Sequence, residues 1–273
     1  MDTSTETPGY VPISQWPDLE ALAIGYGEHL MPPSNKLDGR RFTLNLSDST
    51  RIVHHFHDLN VVEWNIIGTD QSSITDYKTF EVRPEIFFVN FLKIEYQEQV
   101  SLVMDLRTGQ VVIGISQLYI RSSDQQKRTR SKFLDASVEG YNNVIPFLPS
   151  DDLIGKHILY RYTPRDVYEH IYLNRGTFTW HCLSGTEKSL ADTEPCKILK
   201  LADKLCLLYW SEKIMPVESV VVVDLDQMRS TGRFFCWDPK PARPVRMQFG
   251  SYASILGDTD AAGVVAREQE TKG

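Results

Sequence analysis

Apolar and polar residues alternate with a period of two along most of this chain, which is the pattern of half-buried β-strands. Phe42, Leu44 and Leu46 form one such stripe, and similar short stripes follow one another at regular spacing. Helical periodicity is confined to residues 18–26, where Leu19, Leu22 and Ile24 would cap the mouth of a barrel. The pattern predicts an all-β fold in which meanders of roughly eight strands close into barrels wide enough for one small ligand.

A weak internal repeat divides the chain into two similar halves. A spacing of 116 residues relates residues 37–39 to 153–155, His54 to His170, Phe56 to Tyr172 and Trp64 to Trp180. A second block, residues 86–91, matches residues 205–210 at a spacing of 119. The ordered series predicts two tandem antiparallel β-barrels that arose by internal duplication.

The repeat also predicts the domain boundaries. The segment between the copies is rich in charged residues and turn formers, and the end of the chain is small and polar. The predicted units are an N-terminal arm at 1–36, a first barrel at 37–120, a connecting segment at 121–150, a second barrel at 151–257 and a disordered tail at 258–273.

The two copies differ on the face that should point into the barrel. In the first copy, the stripe that contains His54 is more apolar than the alternate stripe with His55 and His57, so we expect it to face inward. The same choice turns Tyr168, His170 and Tyr172 inward in the second copy. Equivalent positions of the two copies also differ in their polar groups. The second copy has Tyr160 and Tyr162 where the first has Leu44 and Leu46, His181 where the first has Asn65, and Glu212 where the first has Lys93.

Polar groups of this kind, gathered among aromatic residues, favour a ligand pocket in the second barrel. Burial beside an apolar strand would raise the pKa of Glu212 into the range useful for a general acid or base. Two alternatives stay open at this point. Each tyrosine could sit at the barrel rim with its hydroxyl in water, and Glu212 could be an exposed carboxylate paired with Lys213.

Composition and motifs exclude several classes of protein. The net charge is −7 and the pI is near 5.5, a balance that argues against nucleic acid as a partner. No apolar run reaches membrane-spanning length, no secretory signal is visible, and the four cysteines fit reduced thiols in a cytoplasmic protein. Dinucleotide, P-loop, serine-hydrolase and zinc-protease motifs are missing, so we predict no cofactor. His55 and His57 share a strand face without a third nearby ligand, which predicts no metal site.

Two runs of the second half, Tyr168–Asn174 and Thr179–Lys188, closely resemble the C-terminal domain of the MoaF family. The stretch Arg83–Lys93 resembles the N-terminal domain of the same family, and the likeness extends over residues 15–255. This resemblance implies a calycin-like, lipocalin-related barrel in each half.

The second half is also remotely similar to the phenolic acid decarboxylase barrel, through residues 158–162 and 209–212. In that family paired tyrosines hold the substrate and a glutamate handles a proton, which implies those roles for Tyr160, Tyr162 and Glu212. That family also uses an arginine, and the matching stretch 189–193 has none. The resemblance therefore supports a cofactor-free acid–base pocket.

From these observations we predict a cofactor-independent isomerase, cyclase or lyase of specialised metabolism, acting on a small hydrophobic molecule in the second barrel. Glu212 would be the general acid or base, with His170 and His181 in support. The side chains expected to contact the substrate are Tyr160, Tyr162, Tyr168, Tyr172, Trp180 and Tyr209. The alternatives are a non-catalytic lipocalin-like carrier and a structural protein with a filled barrel, and the oligomeric state stays open between monomer and homodimer.

Overall fold

The fold is all-β and consists of two closed antiparallel barrels in tandem, as the alternation and the repeat predict. It was established from a computed structural model that describes residues 10–123, 125–238, 242–261 and 263. Equivalent residues of the repeat occupy equivalent strands. His54 and Trp64 lie on the second and third strands of the first barrel, and His170 and Trp180 lie on the second and third strands of the second.

The first barrel is an eight-stranded meander in which each strand pairs with the next. Pairing of its last strand with its first, through Leu44 opposite Val138, closes the barrel. Its strands are β1 Arg41–Leu46, β2 Arg51–Phe56, β3 Val61–Ile66, β4 Ser72–Arg83, β5 Ile86–Lys93, β6 Glu98–Asp105, β7 Gln110–Ile120 and β8 Lys127–Val138.

The second barrel repeats this topology. It closes where its last strand pairs with its first, through Ala253 opposite Tyr160. Its strands are β9 Lys156–Arg161, β10 Val167–Asn174, β11 Thr177–Ser184, β12 Ala191–Ala202, β13 Leu205–Ser211, β14 Val217–Asp224, β15 Arg229–Asp238 and β16 Arg243–Asp258.

The prediction that residues 121–150 form a connecting segment is wrong over the central part of that range. Residues Lys127–Val138 form β8, which pairs with both β7 and β1 and is needed to close the first barrel. Charged residues misled the prediction because Arg130, Lys132 and Asp135 are exposed to solvent, although the strand belongs to the barrel. Most of the predicted tail lies outside the described residues, but Asp258 ends β16 and the Thr259 amide donates to the Gly155 carbonyl at 2.9 Å.

The two barrels share an apolar interface on their outer walls. Phe88 and Val103 of the first barrel pack in one cluster with Leu207 and Val222 of the second. Strands β5 and β14 are therefore buried on both faces, which explains why β5 is almost continuously apolar and why β14 contains four consecutive valines. Burial on this scale makes the tandem pair one packed unit.

A buried ion pair of the second barrel lies at this apolar interface. The Arg233 guanidinium lies 2.7 Å from the Glu218 carboxylate, and the two side chains are 1% and 0% exposed. Arg233 also donates hydrogen bonds to Ser101 at 2.9 Å and Ser116 at 2.6 Å, both on the first barrel. The hydroxyls of Ser116 and Ser131 donate to Glu218. Serines of one barrel thus solvate an ion pair that belongs to the other.

The N-terminal arm packs on the second barrel, although it precedes the first in sequence. It contains a 3₁₀ turn at Ile13–Gln15 and the short helix α1, Leu19–Leu22, inside the segment predicted to be helical. Asp18 caps α1 by accepting a hydrogen bond from the Ala21 amide at 3.0 Å. No helix among the described residues is long and apolar enough to cross a membrane.

Candidate functional site

A cavity lies at one end of the second barrel, directly below α1. Its volume is about 60 Å³, several times the roughly 10–15 Å³ that one water molecule needs on the same measure. Its polar and aromatic lining consists of Tyr26, Tyr162, Tyr168, His170, Trp180, Glu187, Trp210 and Glu212, and its apolar lining of Leu19, Leu22, Ala23, Met215, Val217, Phe234, Cys236, Val245 and Met247.

The arm forms the outer wall of this cavity. Leu19 and Leu22 of α1 line it, and Tyr26 follows with its ring stacked on Tyr162 at a centroid distance of 5.3 Å. Trp16 packs edge-on against Trp180. Because the cover is a single short helix held by apolar contacts, its displacement is the simplest way to admit a ligand larger than the cavity.

Glu212 lines the cavity, as the sequence predicts. It follows the last residue of β13 and accepts a hydrogen bond from the Trp210 indole at 3.3 Å. Burial, followed by the nearby carboxyls of Glu187 and Glu194, raises the pKa of Glu212 well above its ordinary value. These effects favour the neutral form of its carboxyl, which can donate a proton.

The alternative pairing of Glu212 with Lys213 does not occur. The Lys213 ammonium lies 3.1 Å from Asp192, and its backbone amide donates to the Glu194 carboxylate at 3.1 Å. Burial and the neighbouring Asp192 raise the pKa of Glu194 to about 8. The barrel end thus contains several carboxyls whose neighbours disfavour their ionised forms.

Glu187 is a second acidic group in the cavity and was not among the predicted residues. The Tyr168 hydroxyl donates to it at 2.6 Å, and the Tyr26 hydroxyl donates to Tyr168 at 2.9 Å. Burial raises the pKa of Glu187 to about 7, an effect opposed by the hydrogen bond from Tyr168. A pKa near the working pH suits a group that accepts a proton from a substrate and later releases it, as a general base does.

The loop between β11 and β12 holds Glu187 in place. Asp166 accepts hydrogen bonds from the Thr186 amide at 2.9 Å and from the Thr163 hydroxyl at 2.7 Å. Gly185, which precedes Thr186, has a φ of +115° and approaches Asp166 so closely that a β-carbon would lie 2.1 Å from a carboxylate oxygen. The loop needs glycine at this position for both reasons.

We expect Gly185→Ala to destabilise the protein and to displace Glu187. The strained φ alone costs about 1–3 kcal/mol, and the contact with Asp166 adds to that cost. Urea unfolding measures the loss of stability. Gly257→Ala is the control, because a β-carbon there meets its nearest atom only at 4.0 Å. Equal stability of the Gly185→Ala variant and the wild type would contradict this account of the loop.

His170 faces the interior, as predicted, but it cannot carry protons near pH 7. Burial lowers the pKa of His170 to about 3, so the ring is neutral at physiological pH. It packs among aromatic rings, with centroid distances of 4.7 Å to Tyr160 and 5.0 Å to Phe178. The neutral imidazole can accept or donate a hydrogen bond. Of the groups that line the cavity, the carboxyls are the ones suited to proton transfer near pH 7.

Tyr162, Tyr168 and Trp180 line the cavity as predicted. The Trp180 indole N–H is buried and has no hydrogen-bond partner among the described residues. A buried donor without a partner costs about 1–3 kcal/mol. A ligand with an acceptor atom would relieve that cost.

Tyr160 and Tyr172 are buried but do not line the cavity. They fill the barrel below it, where their hydroxyls hydrogen-bond to each other at 2.9 Å. The resemblance to the decarboxylase implied that Tyr160 and Tyr162 hold the substrate together. In the structure Tyr160 lies below the cavity, whereas Tyr162 lines it. Of the two, Tyr162 is placed to contact a ligand.

His181 and Tyr209 lie outside the barrel, contrary to prediction. Each adjoins an inward-facing tryptophan, and successive residues of a strand point to opposite faces. His181 contacts Glu169 on the outer wall at 2.7 Å. Tyr209 lies at the interface between the barrels, where its ring packs on Phe133 at a centroid distance of 5.1 Å.

The matching end of the first barrel is closed by a lysine. Lys93, the counterpart of Glu212, is buried with its ammonium 4.0 Å from the centre of the Trp64 ring and 3.9 Å from Glu98. Burial lowers the pKa of His54, the counterpart of His170, to about 3. The copies therefore share a histidine and a tryptophan, and they differ in the charged group beside them.

A second, more open cavity lies between the barrels. Its volume is about 400 Å³, and it is lined mainly by polar side chains, among them Asn90, Gln99 and Gln248. Its acidic residue, Asp76, lies beside the basic Lys78 and Arg246. The enclosed cavity below α1 fits an apolar ligand and acid–base chemistry better.

The prediction that no carboxylate lies near His55 and His57 is wrong. Glu63, on the adjacent strand β3, lies directly opposite His55. Its carboxylate is 3.0 Å from His57. The sequence did not reveal this because Glu63 is near the histidines only through strand pairing.

Two domain models match the chain, one on each half. The MoaF N-terminal domain matches residues 14–120, and the MoaF C-terminal domain matches residues 147–259. The chain belongs to the MoaF family. Protein MoaF of Klebsiella aerogenes is 31% identical to it over 265 residues, which are 92% of this chain and 96% of that protein. The family resemblance predicted from the sequence is confirmed.

The cavity draws on both MoaF domains. Glu187 and Glu212 lie within the C-terminal match, whereas Leu19, Leu22 and Tyr26 of the cover lie within the N-terminal match. The N-terminal match also ends before β8. The boundaries of the matched MoaF domains therefore differ from those of the folded barrels.

Proposed function

We propose that this protein is a cofactor-independent enzyme that binds a small, largely apolar molecule below α1 and transforms it by proton transfer. The observation that carries this proposal is the presence of two carboxyls, Glu187 and Glu212, in one largely apolar cavity. Their surroundings give them different proton affinities, and such a pair can divide the roles of acid and base.

Glu187 is the base in this proposal. Its carboxylate removes a proton from the substrate while the hydroxyl of Tyr168 stays hydrogen-bonded to it. Glu212, which is neutral, delivers a proton to a second position of the substrate. One proton leaves the substrate and one enters, so the net reaction is an isomerisation, and proton exchange with solvent then restores both carboxyls.

The remaining lining residues bind and orient the substrate. Tyr162 and Trp180 offer an O–H and an N–H, while Leu22, Met247 and Phe234 provide an apolar surface. The cavity of about 60 Å³ limits the closed form to a small molecule. A larger substrate requires α1 to move, which would couple binding to exclusion of water.

Solvent deuterium tests the proton transfer. Native mass spectrometry of protein purified from its own host identifies a retained small molecule, which is then incubated with fresh protein in D₂O. We expect deuterium incorporation by the wild type and a rate about 10²–10⁴-fold lower for Glu212→Gln and for Glu187→Gln. Fluorescence of Trp180 and Trp210 should show that both variants still bind the molecule.

Glu169→Gln is the matched control, because this carboxylate lies on the outer wall of the same barrel beside His157 and His181. Its rate of deuterium incorporation should equal that of the wild type. A retained molecule that binds tightly, gains no deuterium and stays chemically unchanged would instead identify a lipocalin-like carrier. A crystal structure with the molecule outside the cavity would contradict both functions.

A further inference from the structure

The outer wall of the first barrel places two imidazoles and a carboxylate side by side. His55 and His57 lie two positions apart at the end of β2, so they project from the same face. Their rings are 4.0 Å apart between centroids. Glu63 projects beside them from β3, where it is the direct cross-strand partner of His55.

The donor atoms have the spacing of a metal site. One carboxylate oxygen of Glu63 is 3.0 Å from His57 Nε2 and 3.8 Å from His55 Nδ1. One donor atom from each of the three residues lies within 4.8 Å of the others. Zinc bonds of about 2.0–2.1 Å place tetrahedral ligand atoms roughly 3.3 Å apart, so small rotations of these side chains would complete the site.

The strand pairing holds this arrangement in register. The His57 amide donates to the Val61 carbonyl at 2.9 Å, which continues the β2–β3 ladder beyond the end of β2. The side chains are partly exposed, with 29% for His55, 37% for His57 and 42% for Glu63. An ion held there would keep access to solvent, as three-ligand zinc sites do.

We propose that His55, His57 and Glu63 bind one Zn²⁺ ion on the outer wall of the first barrel, with at least one coordination position open. Two imidazole nitrogens and one carboxylate oxygen are a donor set that suits zinc and not magnesium, which prefers an all-oxygen octahedron. The site is separate from the cavity of the second barrel and does not depend on the proposed function.

Isothermal titration of the full-length protein with ZnCl₂ tests the site. We expect one equivalent of Zn²⁺ to bind to the wild type, and affinity to fall at least tenfold in His57→Asn and in Glu63→Gln. Titration with MgCl₂ should give no binding. Both substitutions are at exposed positions, and circular dichroism establishes that the variants are folded.

His181→Asn is the matched control, because His181 also contacts a glutamate on an outer wall, that of the second barrel. It should bind Zn²⁺ as the wild type does. The proposal is overturned if His57→Asn binds Zn²⁺ as tightly as the wild type, or if His181→Asn abolishes binding. It is also overturned if the wild type binds no Zn²⁺.

A nearby cation provides a second test. Arg41 of β1 pairs with His55 on the side opposite Glu63, so it shares their face. Its charge opposes that of a bound cation and is screened by salt. Arg41→Gln should therefore raise the Zn²⁺ affinity severalfold in low salt and less in high salt, whereas weaker binding would contradict the site.

Discussion

Replacement of Arg233 by methionine is expected to lower the free energy of unfolding by about 3–5 kcal/mol. The substitution leaves Glu218 buried at the interface between the barrels without its cation, and its two serine donors cannot neutralise a full charge. Because both side chains are at most 1% exposed, solvent cannot replace the lost partner. Chemical denaturation at neutral pH, followed by tryptophan fluorescence, measures the effect.

The exposed ion pair of Arg51 and Glu139 is the matched control. These side chains are 45% and 52% exposed, and surface pairs contribute about 0–1 kcal/mol. Arg51→Met should therefore change stability little. The double variant Arg233→Met/Glu218→Leu should recover most of the loss, because an apolar pair fits the surrounding cluster. A small effect of Arg233→Met alone would show that the interface admits water.

The second large effect concerns pH. The pKa of Glu187, raised by burial from 4.5 to about 7, makes the folded protein retain a proton that the unfolded chain releases. Its contribution to stability is full below pH 4.5 and is lost as pH rises to 7. A difference of 2.5 between these pKa values corresponds to about 3 kcal/mol. Glu187→Gln mimics the protonated carboxyl, so this variant should gain about that much over the wild type between pH 4 and pH 8.

Urea unfolding of both proteins at pH 4 and pH 8 measures this gain. Asp224→Asn is a control of opposite sign. Burial raises the pKa of Asp224, but hydrogen bonds from Arg83 and from the Gln227 amide outweigh burial and lower it overall. The contribution of Asp224 is nearly complete above its ordinary pKa of 3.8 and is lost only as pH falls below that value, so this variant should be less stable than the wild type by a similar amount at pH 4 and pH 8. A pH-independent effect of Glu187→Gln would mean that its carboxyl is solvated in the folded state.

Local alternation predicted most of the fold. The inward face of β2 was found from the sequence because His54 lies in a stripe more apolar than its neighbour, and the inward face of β10 was found by transferring that choice to His170 through the repeat. The strand β8 was missed because it contains exposed charged residues on both faces, a composition that resembles a loop when strand pairing is not considered. Both faces of β5 and β14 are mostly apolar because one face of each strand points into its own barrel and the other packs against the neighbouring barrel. A single barrel would leave the outer face in solvent.

Part of the candidate site was also predicted from the alternation of side chains along the strands. Glu212, Tyr162, Tyr168 and Trp180 were identified from their strand positions. His181 and Tyr209 were wrong because each was selected together with an adjacent inward-facing tryptophan, and both members of such a pair cannot face the cavity. His181 and Tyr209 were selected for the chemistry of their side chains, although the alternation of the strand placed them on the outer face.

Glu187 and Tyr26 could not be found by alternation. Glu187 belongs to a loop, and its place in the cavity depends on Asp166, which holds the loop through the Thr186 amide. Tyr26 comes from the arm and reaches Tyr168, 142 residues later in the chain, by folding over the second barrel. Their positions follow from tertiary contacts that have no period in the sequence.

A gene fragment that stops at residue 120, where the N-terminal match ends, would encode seven strands and leave β1 and β7 with unpaired backbone edges. Such edges promote association between chains. Recombination between relatives would avoid this by crossing over between β8 and β9. Even then, a transplanted second half would lose α1 and Tyr26, because the cover of its cavity precedes the first barrel in the sequence.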